Sequence, residues 1–211
     1  MLKADIRHYF DTVDHETLLR ILSRRIKDPK VMWLIKTILE NHKTEIKGKG
    51  MPIGNLTSQF FANVYLHELD LFVKHRLKAK YYLRYVDDFV ILHEDEKTLQ
   101  QWKDEIDEFL NETLKIELHP EKSRIIRAEQ GVTLLGFRIF HRYKLLKKSN
   151  ARRILKRLDK FEEKYSRRET SSSEALLSLE GWLAYARFAN TYGLRKEVVD
   201  RYNEIVLMIG K

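Results

Sequence analysis

Asp87 and Asp88 are adjacent carboxylates inside an apolar, aromatic run, Tyr81-Tyr82-Leu83-Arg84-Tyr85-Val86-Asp87-Asp88-Phe89-Val90-Ile91-Leu92. Aspartate tolerates turn conformations and bonds its own backbone, so an Asp-Asp pair between two strands reads first as a plain turn. Its neighbours argue for more. Tyr85, Val86, Phe89, Val90 and Ile91 suit a buried hairpin, where two unpaired carboxylates would be costly. A third carboxylate, Asp5, ends an apolar-flanked segment that could lie beside this hairpin in one sheet. Three converging carboxylates repel unless a cation holds them, and hard oxygen ligands suit magnesium.

The elements that must position these groups follow from periodicity. Residues 2–6 are too few to classify alone. Leu18, Leu22 and Ile26 share one helical face, and Val31, Leu34, Ile35 and Ile38 share another, with Pro29 at the break. A glycine-rich loop, Gly48 to Gly54, leads into a long helix carrying Phe61, Val64, Tyr65, Leu69 and Phe72. The aromatic run at 81–92 predicts two strands joined at the Asp-Asp pair. A helix over 96–110 turns Leu99, Trp102, Ile106 and Phe109 inward, His119-Pro120 marks a loop, and two short strands surround Gly131 and Gly136. The order strand, helices, hairpin, helix, strand predicts a ferredoxin-like, split βαβ domain over residues 1–140. Residues 141–211 read as an all-α three-helix domain. Its stripes are Ile154, Leu158, Phe161 and Tyr165, then Leu176, Leu179 and Leu183, then Leu194, Val198, Tyr202, Ile205 and Ile209. The serines 171–173 and the pair Tyr192-Gly193 separate the three. The fold class is therefore α+β.

Composition narrows the chemistry. The chain has 211 residues, 43% of them hydrophobic, and only three prolines, which predicts a folded protein. The absence of cysteine excludes disulfides, thiolate metal sites and a cysteine nucleophile. No apolar run approaches the roughly 18 residues that span a bilayer. Charges at Lys3 and Asp5 stand where a signal peptide would be apolar, so a cytoplasmic protein without a membrane partner is expected. The net charge is +9, and residues 141–211 hold 17 Lys and Arg against 9 Asp and Glu. From Arg142 to Leu158 there are eight basic residues and no acid. Lys147, Lys148, Arg152, Arg153 and Arg157 in this stretch read either as a solvated helix face or, beside a catalytic domain, as a phosphate-binding surface.

Five segments in order resemble the motifs of reverse transcriptases. Asp5-Ile6-Arg7-His8-Tyr9-Phe10-Asp11 is similar to their first metal-binding motif, and Tyr85-Val86-Asp87-Asp88 to their aromatic-x-Asp-Asp motif. Gly50-Met51-Pro52-Ile53-Gly54 with Thr57-Ser58-Gln59 resembles the nucleotide-site loop and helix. Leu118-His119-Pro120-Glu121-Lys122-Ser123 resembles the lysine-bearing motif, and Leu134-Leu135-Gly136-Phe137 the primer grip. The resemblance implies a polymerase palm over 1–140 and a thumb over 141–211. The implied activity is template-directed DNA synthesis from RNA by two-metal phosphoryl transfer.

Under that resemblance Asp5 and Asp87 bridge two magnesium ions, with manganese as an alternative. Asp88 is then a weaker ligand, and the Ile6 carbonyl is an extra one. Lys122 protonates pyrophosphate or is simply a surface lysine. Phe10 gates against a ribose 2′-hydroxyl, its bland reading being core packing. Ile53, Gly54 and Asn55 line the nucleotide site, and Leu135, Gly136 and Phe137 hold the primer. The implied partners are an RNA template, a DNA or RNA primer and deoxynucleoside triphosphates.

The loop departs from the commonest pattern, in which glutamine replaces Ile53 and proline replaces Gln59. Ile-Gly-Asn-Leu-Thr-Ser-Gln resembles diversity-generating retroelements, whose polymerases are error-prone. Loss of a polar contact beside the nucleotide would loosen selection. The alternatives are a retron or group II intron polymerase of ordinary fidelity, and a non-catalytic nucleic-acid-binding remnant. Only four residues precede Asp5, and nothing there matches the fingers that usually come before the palm. A separate fingers segment or a basic accessory protein is therefore an expected partner.

Overall fold

Leu2 and Ala4 alternate with Lys3 and Asp5 along a four-residue strand, β1 (Leu2–Asp5), and this period of two gives it one apolar and one polar face. The computed structural model describes residues 1–41, 46–52 and 54–209. On β1, Leu2 and Ala4 are completely buried. They face the same way as Phe89 and Ile91 of β3 (Asp88–Leu92), to which β1 pairs antiparallel. β2 (Tyr81–Tyr85) pairs with the far side of β3, and β4 (Arg124–Ile125) with the far side of β1. The sheet order is β2-β3-β1-β4, all neighbours antiparallel, which is the split βαβ arrangement expected. The closing strand is not one of those around Gly131 and Gly136. It is Arg124–Ile125, two residues too short to show any period.

Helices cover the apolar face: α1 (Tyr9–Thr12), α2 (His15–Ser23), α3 (Pro29–Glu40), α4 (Leu56–Leu71) and α5 (Glu96–Phe109). Four begin at a side chain that accepts from an otherwise unpaired first-turn amide: Asp14, Asp28, Asn55 and Asp95. Pro29 opens α3, where a missing N–H costs nothing. Leu18, Phe61, Tyr65, Leu69, Leu99 and Ile106 close over Leu2, Ala4, Phe89 and Ile91 to form one core. Each such large side chain contributes about 1.5–3 kcal/mol by leaving water. α4 and α5 each run into a π-helical turn, Phe72–Arg76 and Leu110–Leu114, and Phe72 stacks on Phe109 at 4.3 Å where they meet. The inward face of α3 differs from the expected stripe. Ile35 and Leu39 are buried, whereas Val31 and Leu34 are exposed.

The chain divides into two compact units, Met1–Arg127 and Ala128–Lys211. The division falls before the expected 140/141 boundary, because the strands around Gly131 and Gly136 belong to a second sheet. That sheet is β5 (Val132–Leu134), β6 (Phe137–Ile139) and β7 (Lys144–Leu146) in sequential antiparallel order. Three helices follow, α6 (Lys148–Ser166), α7 (Ser172–Ala186) and α8 (Tyr192–Ile209). They pack through Ile154, Leu158, Phe161, Leu179, Val198, Tyr202 and Ile205. Ser171 caps α7, and Tyr192 opens α8 rather than separating it from its predecessor.

Candidate active site

The strand register decides which acidic groups meet. Asp5 and Asp88 are directly opposed across β1 and β3, so both side chains leave the same face of the sheet, opposite the one that carries Leu2, Ala4, Phe89 and Ile91. Tyr85 pairs with Asp88, which leaves Val86 and Asp87 as a two-residue hairpin loop. The strands thus join at Val86-Asp87, and Asp88 already belongs to β3. Val86 sits at φ 55°, a left-handed conformation that a β-branched residue rarely adopts. Holding it there costs on the order of 1–3 kcal/mol.

Electrostatics separate the three carboxylates. Asp88 Oδ1 forms an ion pair with Lys3 Nζ, two residues before Asp5 on the same strand face. Lys122 Nζ donates to Asp5 Oδ1 at 3.2 Å. Burial, and then the Asp5 charge, push the Asp87 carboxyl above the ordinary carboxylate range, while its own backbone amide, Lys122 and Lys3 oppose the rise. Burial lowers the Lys3 ammonium, against the pull of Asp5 and Asp87. The Asp5 backbone is fixed on both sides. Its carbonyl accepts from the His119 amide at 2.8 Å and the Ser123 hydroxyl at 3.2 Å, and its amide lies 3.2 Å from the same Ser123 oxygen.

Among the described residues no three acidic or imidazole side chains converge as a ready cation cage. The donor set nonetheless suits one. Two half-buried carboxylates whose charges oppose each other are what a hard divalent cation would relieve. Asp5 and Asp87 are the residues that could hold it. Asp88 is engaged by Lys3.

The remaining predicted residues are distributed as follows. Ile6 is buried and bridges to Leu118, directly after Asp5. Phe10 is partly buried against the main core, its ring edge-on to Tyr9 at 5.7 Å, and its carbonyl accepts from Met51 at 2.7 Å. The contact brings Met51 beside α1. Ile53 lies outside the described residues. Gly54 has φ +87° with open space around it, so its conformation and not crowding requires glycine. Asn55 is the α4 cap, accepting from the Thr57 amide and hydroxyl. Sequence reading missed Lys3 and Ser123. The period of two along β1 placed Lys3 beside Asp5, and that signal was available.

In the second unit, Leu135 and Gly136 form a two-residue β5–β6 loop with both φ positive, 51° and 82°. A Cβ at Gly136 would stand 2.2 Å from Tyr185 Oη and 2.7 Å from Asn150 Nδ2, so only glycine fits. Tyr185 Oη donates to Leu135 O at 3.0 Å, the Lys147 amide donates to Gly136 O at 2.9 Å, and Phe137 packs on Tyr185. These bonds tie the loop to α6 and α7. Lys147, Lys148, Arg152, Arg153 and Arg157 are all exposed on α6 or its cap, and none pairs with a carboxylate among the described residues.

Comparison with known proteins follows the same lines. A family model described as reverse transcriptase (RNA-dependent DNA polymerase) matches residues 1–139. The group II intron-encoded protein LtrA of Lactococcus lactis subsp. cremoris is 29% identical, covering 65% of this chain and 34% of its own length. Protein YkfC of Escherichia coli K12 is 26% identical, covering 67% of this chain and 47% of its own. The chain thus spans between a third and a half of these relatives. The solved structure of apo telomerase from Candida tropicalis aligns with 98% of this chain and 42% of its own at TM-score 0.57 and 16% identity, a likeness of fold.

Proposed function

Because the chain belongs to the reverse transcriptase (RNA-dependent DNA polymerase) family, we propose that Met1–Arg127 carries the catalytic site for copying an RNA template into DNA. One observation supports this most strongly: Asp5 and Asp88 are opposed across β1 and β3, with Asp87 at the adjoining turn. Asp5 and Asp87 would hold two magnesium ions, and when bound these supply Lewis-acid activation and charge neutralisation. The chain's own groups align and insulate. Lys3 draws Asp88 aside, Ser123 and His119 fix the Asp5 backbone, and Phe10 would sense the nucleotide sugar. Lys122, which donates to Asp5, would move toward a phosphate.

Partners follow from charge and shape. The acid-free stretch from Arg142 to Leu158, which opens α6, would offer phosphate contacts for template and primer, and the tightly turned Leu135-Gly136 loop would contact a primer strand. Trp33, Leu34, Leu56 and Phe60 are exposed apolar side chains that a fingers segment, in cis or in trans, would cover. Among the described residues no helix is long and apolar enough to cross a membrane. Similarity to a group II intron-encoded protein supports an intron-type enzyme, and apolar Ile53 supports relaxed nucleotide selection within it. The test of the reading is primer extension on an RNA template with magnesium, with and without an added fingers segment. Failure to extend in every combination would overturn it.

A further inference from the structure

Arg84 is a half-buried cation that none of the roles above employs. It lies on the core face of β2, opposite Phe89, with its side chain 10% exposed. Its Nε donates to Asp70 Oδ1 at 2.7 Å and its Nη2 to Asp70 Oδ2 at 2.6 Å, a two-pronged pair that matches guanidinium to carboxylate. The third nitrogen, Nη1, donates to the Val86 carbonyl at 2.8 Å and lies 3.4 Å from Asn63 Oδ1. Asp70 and Asn63 stand seven residues apart on α4, two turns along one face. Tyr82 Oη donates to Asp70 Oδ1 at 2.7 Å and completes the carboxylate's shell.

We propose that Asp70 and Arg84 are positioning residues that lock the Val86 turn and so aim Asp87. The inference rests on the catalytic reading of Asp87 above. Its physical content is the coupling of a strained position to a half-buried anchor. Val86 at φ 55° holds its conformation only where surrounding contacts over-determine it. Its carbonyl is held by a guanidinium whose other two donating positions are committed to a carboxylate on the rigid helix α4. An arginine so held cannot swing free without leaving the half-buried Asp70 carboxylate without its counter-charge. The turn is thereby referenced to α4 through Arg84 and Val86, both before Asp87 in the chain, and not to the hairpin alone. Lysine cannot replace the fork, because one ammonium cannot span Asp70 in two-pronged fashion and also reach Val86 O.

The test uses Arg84→Lys and Asp70→Asn, each alone and combined with Val86→Gly, which adopts positive φ freely. In primer extension the brace predicts that kcat falls about ten- to a hundredfold, as for a misplaced catalytic group, while KM for nucleotide and affinity for template–primer change little. Val86→Gly should return much of the lost kcat in either background, since the strain the brace restrains is gone. A merely structural ion pair would instead lower the melting temperature, leave kcat per folded molecule unchanged, and gain nothing from Val86→Gly. A second readout does not depend on activity. Amide hydrogen exchange at Asp87 and Asp88 should quicken by about tenfold or more in Arg84→Lys relative to the rest of β3. Unchanged exchange there overturns the brace even if the chain proves active. Quickened exchange with an inactive parent upholds the brace and counts against the catalytic reading alone. If Arg84→Lys does not fold, Asp70→Asn, which preserves side-chain shape, supplies the same two measurements.

Discussion

Lys3 Nζ is paired with Asp88 across the β1–β3 ladder, on the same sheet face as Asp5. The pair gives two chemically identical neighbours different environments. Asp88 carries a fixed counter-charge, while Asp87, raised by burial and by Asp5, needs one from outside. In the reading proposed above, a cation between Asp5 and Asp87 would relieve that charge.

Phe10 tests the sugar selectivity. If its ring fills the space of a 2′-hydroxyl, Phe10→Ala should raise ribonucleotide incorporation relative to deoxynucleotide by about tenfold or more, the range one pocket contact can supply. The measurement is the ratio of kcat/KM for paired ribo- and deoxynucleotides. An unchanged ratio leaves Phe10 as core packing against Tyr9.

Salt titration probes the α6 face. Each of Lys147, Lys148, Arg152, Arg153 and Arg157 that neutralises a phosphate should contribute about 0.7 to 0.9 log units of affinity per log unit of salt. Replacing Arg152 and Arg153 by Ala should therefore weaken template–primer binding and flatten the salt slope together. Substitutions that alter neither would support a merely solvated face.

Ile53 bears on fidelity. If Ile53 relaxes selection, Ile53→Gln should lower misincorporation, most visibly opposite template adenine if the resemblance to diversity-generating retroelements holds. Sequencing the DNA made by both forms decides it. Identical error spectra would assign no selective role to Ile53.

Alkaline stability follows from buried phenols. Burial, with Asp70 close by, raises the Tyr82 phenol well above its ordinary value of 10.0, and burial likewise raises Tyr65 and Tyr9. A phenol whose folded pKa exceeds its unfolded one contributes fully below the unfolded value, and the contribution fades as pH climbs beyond it. The melting temperature should thus fall above pH about 10, and Tyr82→Phe should soften the fall. An identical pH slope in Tyr82→Phe would contradict this.

Much of this was legible in the sequence, for physical reasons. Long apolar periods marked α2, α4, α5, α6 and α8, and Asp5 and Asp87 stood out because carboxylates in apolar runs need a reason. The failures also have causes. Val31 and Leu34 fit a helical period yet face outward, since periodicity marks a face without saying what covers it. Arg124–Ile125 is too short for any period, and its place in the sheet is decided by β1. The grouping of Leu135, Gly136 and Phe137 with α6 and α7 depends on Tyr185 and Asn150, residues distant in sequence. Arg84 and Asp70 were hidden in the same way, fourteen residues apart and visible as a pair only once the hairpin rests on α4.

The most direct measurement is the rate of magnesium-dependent primer extension on an RNA template by the unaltered protein and by Asp87→Asn, with a fingers segment supplied. Loss of one cation ligand should lower the rate on the order of a thousandfold or more, with the circular dichroism spectrum and melting temperature near those of the parent. Full retained activity in a folded Asp87→Asn protein would contradict the assignment of Asp5 and Asp87 as the catalytic pair.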